Sequence, residues 1–233
     1  MRMDPTQPIV ELVDVTRVYR QGSVDVHALR GITLQLLPGE FTALCGPSGS
    51  GKTTALNLVG ALDRATSGTV RLEGRDLGTL TRRQLSILRR DRIGFVFQAY
   101  NLLPVLTAYE NAEIVMAVQG VEPARRRARV MELLERVGLK GLEDRRPTEL
   151  SGGQQQRVAI ARAIAAGPAV VLADEPTANV DSETAENLLG LMEELNVKHG
   201  VTFLFSTHDP RVMARAKRLV KLVDGRVASD ERR

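Results

Sequence analysis

Apolar and polar residues alternate along the first forty positions, and this spacing predicts β-strands. The segments IVELVDVTRVYR (9–20) and VHALRGITLQLL (26–37) are rich in β-branched residues with a period of two, and the polar segment RQGSVD (20–25) predicts a loop between them. A turn at PGEF (38–41) leads into FTALCG (41–46), a short and mostly apolar strand. The chain is therefore expected to begin with β-structure that includes an antiparallel sheet.

Strand and helix patterns alternate along the rest of the chain. Short apolar runs predict buried strands at RIGFVFQ (92–98), AVVLADEPT (169–177) and VTFLFSTHD (201–209). Apolar residues spaced three or four apart predict helices, for example at EPARRRARVMELLERVG (122–138) and SETAENLLGLMEELNVKHG (182–200). This alternation predicts an α/β fold with a mainly parallel core sheet.

The same patterns predict how a single domain, residues 1–233, is divided. Residues 1–98 and 167–233 hold the strand patterns and are expected to form a catalytic core with an N-terminal antiparallel β subdomain. Residues 99–166 are mostly helical in pattern and are expected to form a helical subdomain inserted into that core. The length of 233 residues and the apolar content of 43% are sufficient for a core of this size.

Composition and charge argue against several classes of protein. Aromatic residues make up only 3%, Trp is absent and the basic runs are short, so we expect no nucleic-acid partner. The net charge of +4 by itself is compatible with a phosphate ligand, an anionic membrane surface or nucleic acid. The single cysteine, Cys45, cannot form an intrachain disulfide and is expected to be buried. Residues 1–12 lack the apolar core of a signal peptide, and no run of 18 apolar residues predicts a membrane span.

The segment GPSGSGKT (46–53) matches the phosphate-binding loop pattern G-x-x-x-x-G-K-[ST] between a strand and a helix. Glycines allow backbone N–H groups to converge on phosphate oxygens at a helix N-terminus. Lys52 adds a positive charge for the β- and γ-phosphates, and Thr53 adds a hydroxyl for Mg²⁺. The residues expected to bind a nucleoside triphosphate here are Gly46, Pro47, Ser48, Gly49, Ser50, Gly51, Lys52, Thr53 and Thr54.

Polar residues end or follow three of the predicted buried strands. Asp174 and Glu175 end the apolar run AVVLADE, where ionised carboxylates are costly unless they meet a cation. In proteins with this loop the first acid orients Mg²⁺, and the second is a candidate general base for the attacking water. His208 follows FLFST, and beside an acid pair it is expected to contact the γ-phosphate. Gln98 ends IGFVFQ, but its position alone indicates no function.

Further motifs accompany these residues in a specific order. After GPSGSGKT come FQ at 97–98, LSGGQ at 150–154, LADEP at 172–176, NVD at 179–181 and STHD at 206–209. In this combination the chain resembles the ATP-binding subunits of ABC transporters over nearly its whole length. The resemblance implies a P-loop NTPase fold, ATP and Mg²⁺ as ligands, and an ATP-hydrolysing enzyme.

The resemblance also implies roles for individual residues. The catalytic residues would be Glu175, His208 and Lys52, the Mg²⁺ ligands would be Asp174, Thr53 and Gln98, and the adenine-stacking residue would be Tyr19. Two subunits would form a homodimer that closes head to tail on two ATP molecules, each lying between the P-loop of one subunit and the LSGGQ motif of the other. The residues expected at that interface are Ser151, Gly152, Gly153, Gln154 and Asp181.

The paired glycines of LSGGQ begin a predicted helix, where glycine is normally unfavourable. A capping box would explain Ser151 and Gln154 but leaves both glycines unexplained. Under the resemblance, Gly152 and Gly153 let the helix N-terminus approach the γ-phosphate bound by the partner subunit, and Ser151 adds a hydroxyl.

The segments FVFQAYNLLPVLT and LSGGQQQRV most resemble the lipoprotein-release and macrolide-export branch. This implies a peripheral subunit at the cytoplasmic face of the bacterial inner membrane, where it powers integral-membrane permease subunits for export, lipoprotein release or transmembrane mechanotransmission. Two alternatives stay open, an importer-type ATPase subunit and a non-transport ABC ATPase. The intact Lys52, Asp174, Glu175 and His208 argue against a module that binds ATP without hydrolysing it.

Overall fold

A computed structural model describes residues 7–233 of the chain. The prediction that residues 1–12 form no signal peptide falls partly on residues 1–6, which lie outside the described part. Of the helices between residues 7 and 233, none combines the length and the apolar character needed to span a bilayer. The architecture is α/β, as the alternating patterns predict, with one antiparallel and one mainly parallel sheet.

The antiparallel sheet begins with a long hairpin of β1 (Val10–Gln21) and β2 (Val24–Leu36). Its turn is formed by Gly22 and Ser23, with Gly22 in the left-handed region at φ 61°. The observed turn is shorter than the loop predicted at 20–25. Two further strands, β4 (Ser67–Leu72) and β5 (Arg75–Asp76), complete the order β2-β1-β4-β5. This is the antiparallel N-terminal sheet that the alternating pattern predicts.

The second sheet has the strand order β10-β9-β3-β8-β7-β6. Its strands are β3 (Phe41–Cys45), β6 (Ile93–Val96), β7 (Val170–Asp174), β8 (Phe203–Thr207), β9 (Arg218–Val223) and β10 (Arg226–Arg232). All neighbours pair in parallel except β10, which returns antiparallel to β9 as a closing hairpin. The central strands are buried on both faces, with Phe41, Phe203 and Phe205 forming an aromatic contact on one side of the sheet.

Between residues 7 and 233, seven α-helices surround the sheets. They are α1 (Lys52–Val59), α2 (Arg82–Arg92), α3 (Ala108–Val118), α4 (Pro123–Arg136), α5 (Gly152–Ala165), α6 (Ser182–His199) and α7 (Pro210–Arg215). Helices α3, α4 and α5 pack on one another, and all three fall within residues 99–166. Capping boxes at Thr81, Thr107 and Ser151 begin α2, α3 and α5, and Gly200 in the left-handed conformation ends α6.

The topology brings distant segments to one edge of the parallel sheet. Because β3, β8, β7 and β6 are parallel neighbours, their carboxyl ends lie side by side. The segments that follow these ends are the GPSGSGKT loop, His208, Glu175 and the segment containing Gln98, in that order along the edge. The sequence pattern predicts a strand that ends at Gln98, but strand β6 ends at Val96, so Gln98 lies just beyond it.

Candidate nucleotide-binding and catalytic site

A cleft of about 770 Å³ opens at this edge of the sheet. Its lining residues are Tyr19, Val26, His27, Ala28, Pro47, Ser48, Gly49, Gly51, Lys52, Thr53, Thr54, Gln98, Glu175 and His208. Most of the residues predicted to bind nucleotide or to act in catalysis are therefore brought together. Val26, His27 and Ala28 were not predicted. Tyr19 pairs with Val26 across the β1–β2 hairpin, which brings these three residues to the cleft. Predicting them would have required the correct register of the two strands.

The loop between β3 and α1 depends on glycine at two close approaches. Gly46 and Gly51 have φ angles of 146° and 100°, which side chains rarely adopt. A Cβ atom at Gly46 would lie 2.1 Å from the carbonyl oxygen of Leu222, and one at Gly51 would lie 2.6 Å from that of Ala28. Ser50 in the same loop is 2% exposed, and its hydroxyl has no hydrogen-bond partner in the described part of the chain. An orphaned buried hydroxyl in a glycine-rich loop fits a phosphate site.

Lys52 begins α1 and is buried within this loop. Its Nζ atom donates hydrogen bonds to the carbonyl oxygens of Gly46 at 2.8 Å and Pro47 at 2.9 Å. The ammonium group is thereby held at the N-terminus of α1, where the helix dipole and the loop N–H groups also favour an anion.

Two of the predicted Mg²⁺ ligands are in contact. Thr53 Oγ1 donates to Asp174 Oδ1 at 3.2 Å, and Gln98 lines the same cleft. No cluster of three or more His, Cys, Asp or Glu side chains suited to a metal ion occurs among residues 7–233. A hydroxyl, an amide and a single carboxylate nevertheless fit Mg²⁺, which in nucleotide sites takes most of its other ligands from phosphates and water.

Glu175 is the residue directly after β7, and its backbone is in the left-handed region at φ 46°. Such a conformation costs about 1–3 kcal/mol in a non-glycine residue and persists only where the surroundings enforce it. Its N–H donates to the carbonyl oxygen of Ser206 at 2.9 Å, and Oε2 accepts a bond from Thr207 Oγ1 at 3.2 Å. Oε1 lies 2.6 Å from His208 Nδ1.

The side chains of Glu175 and His208 differ strongly in exposure to solvent. The glutamate side chain is 16% exposed and the imidazole is 74% exposed. A hydrogen bond from Nδ1 to the carboxylate orients the ring and leaves Nε2 directed to another partner. The arrangement can hold a carboxylate ready to accept a proton, with an imidazole that is free to contact a ligand.

A second layer of hydrogen bonds lies beneath this pair. Asp209 Oδ2 accepts a bond from Thr177 Oγ1 at 2.7 Å and pairs with Arg211 Nη2 at 2.7 Å. Hydrogen bonding from Arg211, together with that from Thr177, lowers the pKa of Asp209 from 3.8 to about 2. Asp209 stands in the quoted STHD motif, but sequence reasoning assigned it no role.

Tyr19 stands at the far end of the cleft on β1. Its hydroxyl donates to Asp63 Oδ2 at 2.7 Å, and the guanidinium carbon of Arg17 lies 4.4 Å from the ring centroid. Arg17 also pairs with Asp63 at 2.8 Å. One face of the ring is therefore covered, and the other face is the one that can receive a base.

The LSGGQ residues and Asp181 do not line the cleft. Ser151 caps α5: its Oγ accepts the Gln154 N–H at 3.3 Å, and its own N–H donates to Gln154 Oε1 at 2.9 Å. Asp181 caps α6 by accepting the Thr184 N–H at 2.9 Å and the Thr184 hydroxyl at 2.6 Å, and these bonds lower the pKa of Asp181. The capping box that the sequence offered as an explanation of Ser151 and Gln154 is present.

Comparison with known proteins places the chain among nucleotide-driven transport proteins. Residues 29–178 match the family model described as ABC transporter. A lipoprotein-releasing system ATP-binding protein, LolD, from Anaeromyxobacter dehalogenans is 50% identical over 96% of this chain and 94% of its own length. A macrolide export ATP-binding/permease protein, MacB, from Marinobacter nauticus is 46% identical, but the chain spans only about a third, 35%, of its length.

A solved structure is similar over the whole fold. The ATP-binding cassette MJ0796, in a dimeric post-hydrolysis state bound to ADP and Pi, superposes with a TM-score of 0.88 at 42% identity, covering 96% of this chain and 98% of that one. These findings confirm the predicted P-loop fold class and the prediction of an ATP-hydrolysing enzyme. The chain belongs to the ABC transporter family, as one of its ATP-binding cassettes.

Proposed function

We propose that this chain hydrolyses ATP to drive a separate membrane protein in export, lipoprotein release or transmembrane mechanotransmission. The observation that carries the proposal is the contact between Glu175 and His208, at 2.6 Å, in the same cleft as Lys52. Phosphate-binding, metal-ligating and proton-accepting groups meet at one edge of the sheet. Relatives named for lipoprotein release and macrolide export, at 50% and 46% identity, support this branch of the family.

The predicted site residues have the following roles in this proposal. The backbone N–H groups of residues 48–53 and the Lys52 ammonium hold the phosphates of ATP, and Tyr19 stacks on the adenine. Thr53, Asp174 and Gln98 hold Mg²⁺, which when bound offsets negative charge on the phosphate oxygens. The carboxylate of Glu175 accepts a proton from the water that attacks the γ-phosphate, while Thr207 and His208 keep that carboxylate oriented.

Two copies of the chain, closed head to tail, would complete each site. Ser151 is exposed at the N-terminus of α5, a helix end that attracts anions, and lies outside the cleft of its own chain. Its Oγ accepts the Gln154 N–H, which leaves its own O–H as a donor for the γ-phosphate bound by the other copy. Asp181 would lie at the interface between the two copies. The dimeric state of the similar MJ0796 cassette supports this arrangement.

A groove on the other side of residues 97–101 is the proposed contact for the membrane protein. It has a volume of about 380 Å³ and combines apolar residues such as Phe97 and Val115 with the side chains of Arg89 and Arg162. Arg89 and Arg162 donate to backbone carbonyl oxygens, whereas Arg90, in the same groove, pairs with Asp91. We propose that the segment entering this groove is apolar and carries a carboxylate that pairs with Arg89 or Arg162. The chain would then sit at the cytoplasmic face of the bacterial inner membrane.

The test uses a tagged Glu175→Gln chain expressed in a bacterial host, with Glu194→Gln as the matched control because Glu194 lies on the exposed surface of α6. Steady-state ATP turnover should fall at least ~100-fold in Glu175→Gln and stay at the parent rate in Glu194→Gln. With ATP added, gentle solubilisation of native membranes should co-purify a protein with few spans and a large extracytoplasmic domain.

Each outcome of this test points to one reading. Near-normal turnover in Glu175→Gln would remove Glu175 from its assigned role. Co-purification of a multi-span permease would keep the transport function and replace the branch with an importer-type subunit. Capture of ribosomal or nucleic-acid partners in place of membrane proteins would favour a non-transport ATPase.

A further inference from the structure

Three segments that are far apart in sequence meet at the beginning of α5. Tyr100 Oη donates a hydrogen bond to the carbonyl oxygen of Asn179 at 3.0 Å. Asn179 Nδ2 in turn donates to the carbonyl oxygen of Gln98 at 2.9 Å. The segment after β6 is therefore tied by two bonds to the loop that follows Glu175.

The two glycines of LSGGQ complete this meeting point. Both have helical backbone angles, so neither is needed for a left-handed conformation. A Cβ atom at position 152 would lie 2.8 Å from Tyr100 Oη, and one at position 153 would lie 2.3 Å from Thr184 Cγ2. Tyr100 could make room by shifting its ring, which would disturb its hydrogen bond to the carbonyl of Asn179. A side chain at position 152 is thus disfavoured by a contact within the chain.

The position of Tyr100 is enforced by its surroundings. Tyr100 and Asn101 are both left-handed, at φ 58° and 50°, which is unfavourable for a bulky residue such as Tyr100 and tolerated by asparagine. Arg162, on α5, donates to the carbonyl oxygens of both, with Nη2 2.8 Å from that of Tyr100. Burial lowers the pKa of Arg162, and this desolvated guanidinium holds the strained pair in place.

We infer that Tyr100 is a positioning residue, which sets the N-terminus of α5 relative to the loop after Glu175. Gln156 Nε2, which donates to the carbonyl oxygen of Pro176 at 2.7 Å, is a second tie between α5 and that loop. Asn101 and Arg162 also line the groove behind the cleft, so a segment seated there presses on the residues that hold Tyr100. The functional part of this inference rests on the proposed closed dimer.

The first test is the melting temperature, Tm, of Gly152→Ala, Tyr100→Phe and the double variant. In Tyr100→Phe the nearest ring atom to the new Cβ is Cζ at 3.8 Å, an ordinary contact. Alanine is a better helix former than glycine. Gly152→Ala should therefore lower Tm in the parent chain and raise it in the Tyr100→Phe background. The matched control is Tyr109→Phe, which loses a similar bond, to Glu113 at 2.9 Å, and should leave the effect of Gly152→Ala unchanged.

The second test measures ATP-driven dimerisation in the Glu175→Gln background by analytical ultracentrifugation. Gly152→Ala should weaken dimerisation about tenfold, and adding Tyr100→Phe should restore it to within about threefold of Tyr100→Phe alone. A glycine required only by the phosphate at the dimer interface would give no rescue, and that result would overturn the positioning role.

Failure of the proposed function is distinguishable from failure of this inference. If Glu175→Gln alone does not dimerise with ATP, the closed dimer is wrong and the Tm comparison decides the contact between Tyr100 and Gly152. If Glu175→Gln dimerises but Gly152→Ala has the same effect on Tm in both backgrounds, the assignment of Tyr100 is wrong while the dimer stands.

Discussion

The phosphate-binding loop and the beginning of α5 both depend on glycine, but for different physical reasons. Gly46 and Gly51 occupy left-handed backbone regions that other residues adopt with strain. Gly152 and Gly153 have ordinary helical angles and are limited by the space that Tyr100 and Thr184 leave. The first requirement comes from the local backbone conformation, which a sequence motif indicates. The second comes from packing between distant segments, which a sequence motif does not explain.

The two regions also differ in how complete they are. The cleft brings the loop, Glu175, His208 and Gln98 together within one chain. The N-terminus of α5 is presented outside it, with Ser151 exposed. Under the proposed function, glycine in the cleft would be needed for binding ATP, whereas glycine at α5 would be needed to keep an interacting surface in the correct place.

The largest expected effect tests the requirement in the cleft. Gly51→Ala forces a side chain into φ 100° and within 2.6 Å of the Ala28 carbonyl, so ATP affinity should fall by about 100-fold in calorimetry. Gly74→Ala is the control, because Gly74 has φ 74° with open space around it and lies outside the cleft. If Gly51→Ala binds ATP as the parent does, the loop does not depend on its backbone in this way.

An intermediate effect tests the requirement at α5. Gly153→Ala places a Cβ 2.3 Å from Thr184 Cγ2 and should lower Tm by roughly 3–10 °C. Thr184→Ser removes that methyl group and keeps the hydroxyl that donates to Asp181 at 2.6 Å. Most of the lost Tm should return in Gly153→Ala/Thr184→Ser. A double variant as unstable as Gly153→Ala alone would show that another contact limits this position.

The smallest effect concerns the support beneath the cleft. The pKa of Asp209 is lowered to about 2, so its contribution to stability is present above pH ~4 and is lost as the pH falls towards 2. Asp209→Asn should lower the unfolding free energy at pH 7 by about 1–2 kcal/mol, since solvent around the partly exposed Arg211 weakens the pair. Its Tm should change less than the parent's between pH 4 and pH 2.

Thermal unfolding followed by circular dichroism across this range measures both quantities, with the exposed Asp144→Asn as the control. An Asp209→Asn chain with the parent's acid sensitivity would assign that sensitivity to other carboxylates.

The fold and much of the site could be predicted because their signals are local. The apolar runs that became β7 and β8 each end at a polar residue, and parallel pairing then places Asp174 and His208 at one edge. The role of His27 as a cleft residue could not be predicted, since it depends on the register of β1 with β2. The contact of Tyr100 with Gly152 was also beyond reach, because it depends on how α5 packs across the segment after β6.

The hydrogen bonds of Lys52 order the phosphate-binding loop before a ligand arrives, which lowers the entropic cost of binding. An ammonium group has three donors, and two of them already close the loop through the carbonyls of Gly46 and Pro47. The conformational entropy of ordering the loop is thus lost during folding, and an incoming phosphate meets a rigid receptor with the third donor left to serve it. Because the loop is ordered during folding, less of the binding free energy is lost to ordering it. Lys52 therefore both stabilises the loop and supplies a positive charge for the phosphate.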